Sequence, residues 1–288
     1  VVGSGGGQNG AVSDDVDDVR DVWAVWLPRD VVRVAGPDAA SFLQGQLSQD
    51  VAGLAPGASA WSFLLQPQGK VDAFLRVTKQ ADDEYVLDVE AGWGEPVVAR
   101  LSRFKLRVKA DIDVLAGWRC LAIRGPHAHD LAPAGAAADW PDFPGVDLLG
   151  PDPQLPPGVA LVDLATYERA RIEAGVPVMG KELDEHTIPA EAGIVDRAVS
   201  FTKGCYTGQE LVARIDSRGG NVPRRLRRLT APGGSTLPEG AAIEVDGKER
   251  GRVTSAVPGM ALAYVHRDVE PPADATVAGT AVRIDALP

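Results

Sequence analysis

Residues 203–210 read KGCYTGQE and gather the groups best suited to chemistry: a lysine, one of only two cysteines in the chain, two glycines, and a Gln-Glu pair. A thiol acts as a nucleophile or metal ligand through its thiolate, which a nearby cation or a helix N-terminus stabilises. Lys203 lies two residues before Cys205. The run QELVARI follows Gly208 with Leu211, Val212 and Ile215 at helical spacing, so Cys205 is expected close to the free N–H groups of a helix start. Lys203 and Cys205 are therefore the expected catalytic pair. The same residues also suit a small cysteine buried in a glycine-bounded turn. Cys120, between Arg119 and Leu121 in a strand-like run, reads as core. There is no CxxC and no histidine cluster, so neither a metal site nor a disulfide framework is expected.

A second feature is HTIPAEAGI at 186–194, where Glu191 stands alone among small and apolar residues. Such a carboxylate is either solvated or aimed at paired N–H donors. His186 reads as a surface histidine.

These segments need elements to hold them. WAVWLPRDVVRVAG suggests a strand through Val31, Val32 and Val34 that stops at Gly36-Pro37, and PDAASFLQGQLSQDV a short helix with Asp38 as N-cap. ASAWSFLLQ and GKVDAFLRVTK read as a hairpin about Pro67-Gln68-Gly69, and EYVLDVE as a third strand. GEPVVARLSRFKLRV predicts a helix with Val98, Leu101 and Phe104 inward, and DIDVLAGWRCLAIRG a strand. Residues 131–160, rich in Pro, Gly and Ala, read as a long excursion or a boundary. Leu164, Tyr167, Ala170 and Arg171 lie along a helix that Gly175 and Pro177 end. AAIEVDG, GRVTSAV, MALAYVH and AVRIDAL suggest a small all-β barrel or sandwich. The irregular alternation of helices and strands points to an α+β fold. Residues 1–21, Gly-rich then acidic, are expected to form a disordered tail, followed by α+β regions at 22–115 and 116–222 and a β-domain at 223–288.

The chain of 288 residues is 45% hydrophobic and carries a net charge of −11, which argues against broad nucleic-acid binding. The basic run PRRLRRL at 223–229 reads as the solvated face of a surface element. With no long apolar run and no signal-like N-terminus, a cytoplasmic protein without membrane contact is expected.

SFLQGQLSQDV, LLQPQGKV, RFKLRVKADI, ERARIEAGVPVMGKEL, TIPAEAG and FTKGCYTGQELVARI follow one another as in the YgfZ-type folate-binding proteins, relatives of the glycine-cleavage T-protein, an aminomethyltransferase. The resemblance spans roughly residues 23–288. It implies three domains around a central channel that binds tetrahydrofolate or a derivative, a C-terminal β-barrel-like domain, and an accessory role in assembling or repairing iron–sulfur enzymes, its suspected clients. It implies that Glu191 anchors the pterin, whose amino group and ring N–H suit one carboxylate. Tyr206 would supply an aromatic face, and Lys70 or Arg214 would meet the anionic glutamate tail. The T-protein pattern has an aspartate shortly after the turn matching QGKV. Here Ala73 and Phe74 stand near that place, with Asp72 off register, so a one-carbon transferase is the lesser expectation, and a non-catalytic binding or scaffold protein a third.

Overall fold

The computed structural model describes residues 22–288. The expected tail at 1–21 lies outside the described residues. The fold is α+β, built on two five-stranded sheets and a closed barrel.

The first sheet runs Ser59–Leu65, Val71–Ala81, Glu84–Glu90, Arg29–Ala35, Asp111–Val114, every neighbour antiparallel. Helices Ala39–Gln46 and Gly94–Phe104 join its core, in which Leu43, Leu64, Leu75, Leu87 and Leu101 are fully buried. Each such side chain contributes about 1.5–3 kcal/mol relative to exposure. The second sheet runs Ala160–Leu161, Trp23–Leu27, Arg119–Arg124, Gly145–Gly150, Ala136–Ala137. Pro28 divides Trp23–Leu27 from Arg29–Ala35 and sends them to different sheets, since proline has no N–H for a ladder.

Between the sheets lies a buried ion network. Arg76 pairs with Asp88 at 2.9 Å and with Asp147 at 2.8 Å, Arg124 with Asp147 at 2.8 Å, and Arg29 with Asp88 at 2.6 Å and Glu90 at 2.8 Å. Burial alone would raise the Asp147 carboxyl, but Arg124 and Arg76 overcome it and hold the group down at about 2. Three cations face three anions here, so charge balance rather than any single pair makes the burial tolerable.

The barrel closes in the order Arg224–Thr230, Met260–His266, Lys248–Val257, Ala242–Val245, Ala273–Val277, Thr280–Asp285. Leu229, Ile243, Ala263, Val277 and Ile284 fill its interior. Helix Leu164–Glu173 fastens it to the body. Arg171, fully buried, donates to Glu182, Glu168 and Ser255, while Ser255 and Thr254 of the barrel donate to the Glu182 carboxylate and the Tyr264 hydroxyl to its carbonyl.

Several expectations change on folding. Asp38 occupies the N-cap position without capping; its carboxylate accepts from the Lys109 N–H at 2.8 Å, a cross-link the sequence order hides. In helix Gly94–Phe104 the buried residues are Gly94, Val97 and Leu101, while Val98 is half-buried and Phe104 exposed. DIDVLAGWRCLAIRG is two strands in two sheets, broken at Ala116-Gly117. Residues 131–160 contribute three short strands to the second sheet instead of a boundary. PRRLRRL is a barrel strand whose arginines are half-buried and engaged: Arg225 donates to the Gly220 carbonyl and Arg228 to that of Glu173.

Candidate functional site

Three of the motifs converge on one place. Helix Ala39–Gln46 ends in carbonyls that need donors, and the Lys203 ammonium donates to the Gln44, Leu47 and Gln49 carbonyls at 2.7, 2.7 and 2.9 Å. The Thr207 N–H donates to the Gly45 carbonyl at 3.1 Å. The Ser48 hydroxyl, fully buried, donates to the Ala198 carbonyl and accepts from the Phe63 N–H. The PQGK turn backs directly onto Gly208, the residue that opens helix Gln209–Asp216. SFLQGQLSQD, QPQGK and KGCYTGQE thus form one folded unit.

Cys205 is exposed on this clamped loop and Cys120 is buried. Lys203 spends its three donors on carbonyls and none is left for the thiol, so its place in the fold is that of a clamp, not the thiolate partner the sequence suggested. Desolvation holds the Lys203 ammonium down at about 8. The N–H groups ahead of the helix are also engaged, that of Tyr206 by the Gln209 side chain and that of Thr207 by Gly45. Tyr206 packs into the first core, 5.2 Å from the Lys203 nitrogen, and burial pushes its phenol up to about 12. It presents little aromatic face to a ligand. Cys120 sits near the ion network, where burial pushes its thiol strongly upward, followed by Asp147 and Asp88.

Glu191 ends the short turn Pro189–Glu191 and is only 3% exposed. Its Oε2 accepts from the Arg224 Nε at 3.1 Å and from the Ile188 N–H at 3.3 Å. Among the described residues, neither Glu191 Oε1 nor the Arg224 Nη atoms have a protein hydrogen-bond partner. The Arg224 guanidinium lies 4.3 Å from the Tyr264 ring centroid. The result is a carboxylate oxygen and guanidinium nitrogens side by side without protein partners among the described residues, the guanidinium lying over the Tyr264 ring. Sequence reasoning passed over Arg224 and Tyr264. Lys70 is half-buried and Arg214 is exposed on helix Gln209–Asp216; among the described residues neither side chain makes a hydrogen bond or ion pair, and no contact joins either to Glu191.

A cavity of about 20 Å³ between the sheets is walled by Trp61, Phe74, Trp140 and Tyr167, and Glu90 Oε2, Arg124 Nε and Arg197 Nε around it lack hydrogen-bond partners. It adjoins an outer lobe of about 170 Å³ between Pro28, Leu164, Tyr167 and Val178. Phe74 stacks on Trp61 at 4.8 Å and is buried. Asp72 sits at a bulge, since Leu64 pairs with Ala73 but Leu65 with Val71, and its carboxylate accepts from Arg100 Nε at 2.7 Å on the helix side of the sheet.

The fold is that of the T-protein class. The structure matches the crystal structure of glycine cleavage system aminomethyltransferase T from Bartonella henselae with a TM-score of 0.77, at 23% identity, covering 93% of this chain and 86% of that one. Residues 29–144 match the family model of the GCVT N-terminal domain. An uncharacterised protein of Haemophilus influenzae is 30% identical over 234 residues, 79% of this chain and 81% of that protein. The tRNA-modifying protein YgfZ of Edwardsiella ictaluri is 30% identical over 68% of this chain and 66% of its own length. The human mitochondrial iron–sulfur cluster assembly factor IBA57 is 33% identical over 66% of this chain and 61% of its own. This chain therefore spans less than two thirds of the last two. The chain belongs to the YgfZ-type family of aminomethyltransferase-related proteins.

Proposed function

We propose that this protein binds a reduced folate and serves as an accessory factor in assembling or repairing iron–sulfur enzymes, with Cys205 as the residue that meets the cargo. The observation that carries the proposal is an exposed thiol on a loop held rigid from both sides, by Lys203 on three carbonyls and by Gly208 on the PQGK turn. A loop fixed in this way presents its sulfur at constant geometry, which a ligand or nucleophile needs and a packing residue does not.

Glu191 and Arg224 would hold the pterin, the free Oε1 accepting from its N–H groups and the free guanidinium nitrogens donating to its carbonyl, with Tyr264 beneath. Lys70 and Arg214, both without partners among the described residues, would meet the anionic tail. A bound tetrahydrofolate supplies one-carbon or redox chemistry through its reduced ring. Lys203 positions the loop and Glu182 ties the barrel carrying Arg224 to the body.

The names of the YgfZ and IBA57 relatives support a role in iron–sulfur assembly or in tRNA modification. The stacked Phe74 speaks against aminomethyl transfer, which needs a carboxylate at the folate's reacting edge. The deciding experiment titrates the purified protein with tetrahydrofolate and a transferable cluster, then asks whether wild type and Cys205→Ser restore iron–sulfur enzyme activity in a strain lacking its own homologue. Saturable folate binding with restoration by wild type alone supports the proposal. Full restoration by the serine variant removes Cys205 from it, and release of methylenetetrahydrofolate from an aminomethylated carrier would favour the transferase.

A further inference from the structure

In a chain of net charge −11, residues 103–109, RFKLRVK, form one basic and apolar segment, the end of helix Gly94–Phe104 and the loop that follows it. Arg103, Lys105, Arg107 and Lys109 take part in no ion pair among the described residues. Leu106 is 84% exposed and Phe104 37%. Exposing a leucine to this degree beside four cations without an ion pair among the described residues costs solvation and self-repulsion. The loop is nevertheless held: the Lys109 N–H donates to Asp38, the Lys109 carbonyl accepts from the Asp38 N–H at 3.2 Å, and Arg107 is kept at φ 61, where non-glycine residues are uncommon. Beside it opens a cleft of about 550 Å³ between helix Gly94–Phe104 and the PQGK turn, with Pro67, Trp93, Arg103 and Phe104 in its wall, Asp72 there neutralised by Arg100 at 2.7 Å and Glu185 its other carboxylate.

The cleft adjoins the Cys205 unit. Arg100 Nη1 donates to the Gln46 side chain at 3.3 Å, while Lys203 grips the Gln44 and Leu47 carbonyls, so the cleft wall and the cysteine loop share the C-terminal end of one helix. We propose that loop 103–109 and this cleft are a docking face for an acidic protein partner, which inserts an apolar side chain against Phe104 and Leu106 while its carboxylates meet the four free cations. Its use by proteins that bring iron–sulfur cargo to Cys205 rests on the function proposed above. A protein fits better than a nucleic acid because the four cations lie within seven consecutive residues, 103–109, whereas a phosphate backbone needs an extended basic track. An apolar anchor inside a charged rim is the pattern of protein interfaces.

The test titrates the full chain and its R103E/K105E/R107E variant with an acidic amphipathic peptide of alternating Glu and Leu, and separately with bulk tRNA. The peptide should bind wild type, weaken with added salt, and bind the variant at least about tenfold less tightly. No binding to wild type, equal binding to both proteins, or saturation by tRNA instead of peptide overturns the docking face. In the complementation strain the variant should keep wild-type folate titration and Cys205 alkylation yet lose restoration of iron–sulfur enzyme activity. Full restoration by the variant overturns the face and leaves the reading of Cys205 standing. Failure of wild type to bind folate removes that reading, while a salt-sensitive, variant-sensitive peptide titration would still uphold the face.

Discussion

Gly69 and Gly208 meet back to back, their Cα atoms so close that a Cβ on Gly208 would lie 3.2 Å from the Gly69 Cα and 2.5 Å from the Gln66 carbonyl oxygen. A Cβ on Gly69 would lie 2.5 Å from the Leu211 Cβ. Both residues have positive φ, 81° and 85°, so glycine is required twice over, by conformation and by space. Gly208→Ala should cost roughly 1–3 kcal/mol in strain alone, with the backbone clash adding to it. Chemical denaturation should show the loss, and amide exchange should rise in 66–70 and 203–208 together. Exchange confined to 203–208 would mean that the two turns are not one unit.

Glu191→Gln should weaken reduced-folate binding by about tenfold or more, corresponding to roughly 1.5–3 kcal/mol for a lost charge-assisted bond. Arg224→Gln should do the same. Calorimetry showing unchanged affinity in both would take the pterin away from this pair, and a loss confined to Arg224→Gln would leave Glu191 a structural counter-ion.

Brief iodoacetamide treatment of the native protein should modify Cys205 well before Cys120, by about tenfold or more in rate, because one thiol is exposed and the other is buried and pushed away from its thiolate. Lys203→Met should leave the Gln44, Leu47 and Gln49 carbonyls without their donor and raise amide exchange in 44–49. Peptide mass spectrometry reads both results. Equal labelling of the two cysteines would contradict the structure.

The Asp147 carboxyl titrates at about 2 in the fold against an ordinary value of 3.8. A folded-state value below the unfolded one contributes stability that is complete above pH 3.8 and is lost as pH falls from there through about 2, on the order of 2–3 kcal/mol. Asp147→Asn should cost about 3–5 kcal/mol near neutrality by leaving Arg124 and Arg76 short of a counter-charge. The gap between wild type and variant should narrow below pH 3.8. Acid unfolding curves that run parallel across that window would show that Asp147 titrates normally.

The sequence by itself determined the α+β class, the helix and strand character of most segments, and the residues able to do chemistry. These are local properties: periodicity decides which face of an element is apolar, and residue type decides what a side chain can donate or ligate. The bulge that sends Asp72 to Arg100 was not legible there, because an extra residue in one strand depends on how the two strands pair. Tertiary structure alone decided where those residues point. Lys203 is two positions from Cys205 in sequence, yet its ammonium is spent on a helix end more than 150 residues earlier, because three unsatisfied carbonyls outcompete a thiol. Glu191 found Arg224 in a segment that read as solvated surface, and only closure of the barrel brings that strand against the Pro189–Glu191 turn. Phe104 looked inward by spacing, but the helix ends at that residue and leaves its ring beneath the Arg100 guanidinium at 3.9 Å. Pairings between segments far apart in sequence depend on which surfaces bury one another, and no local pattern encodes that choice.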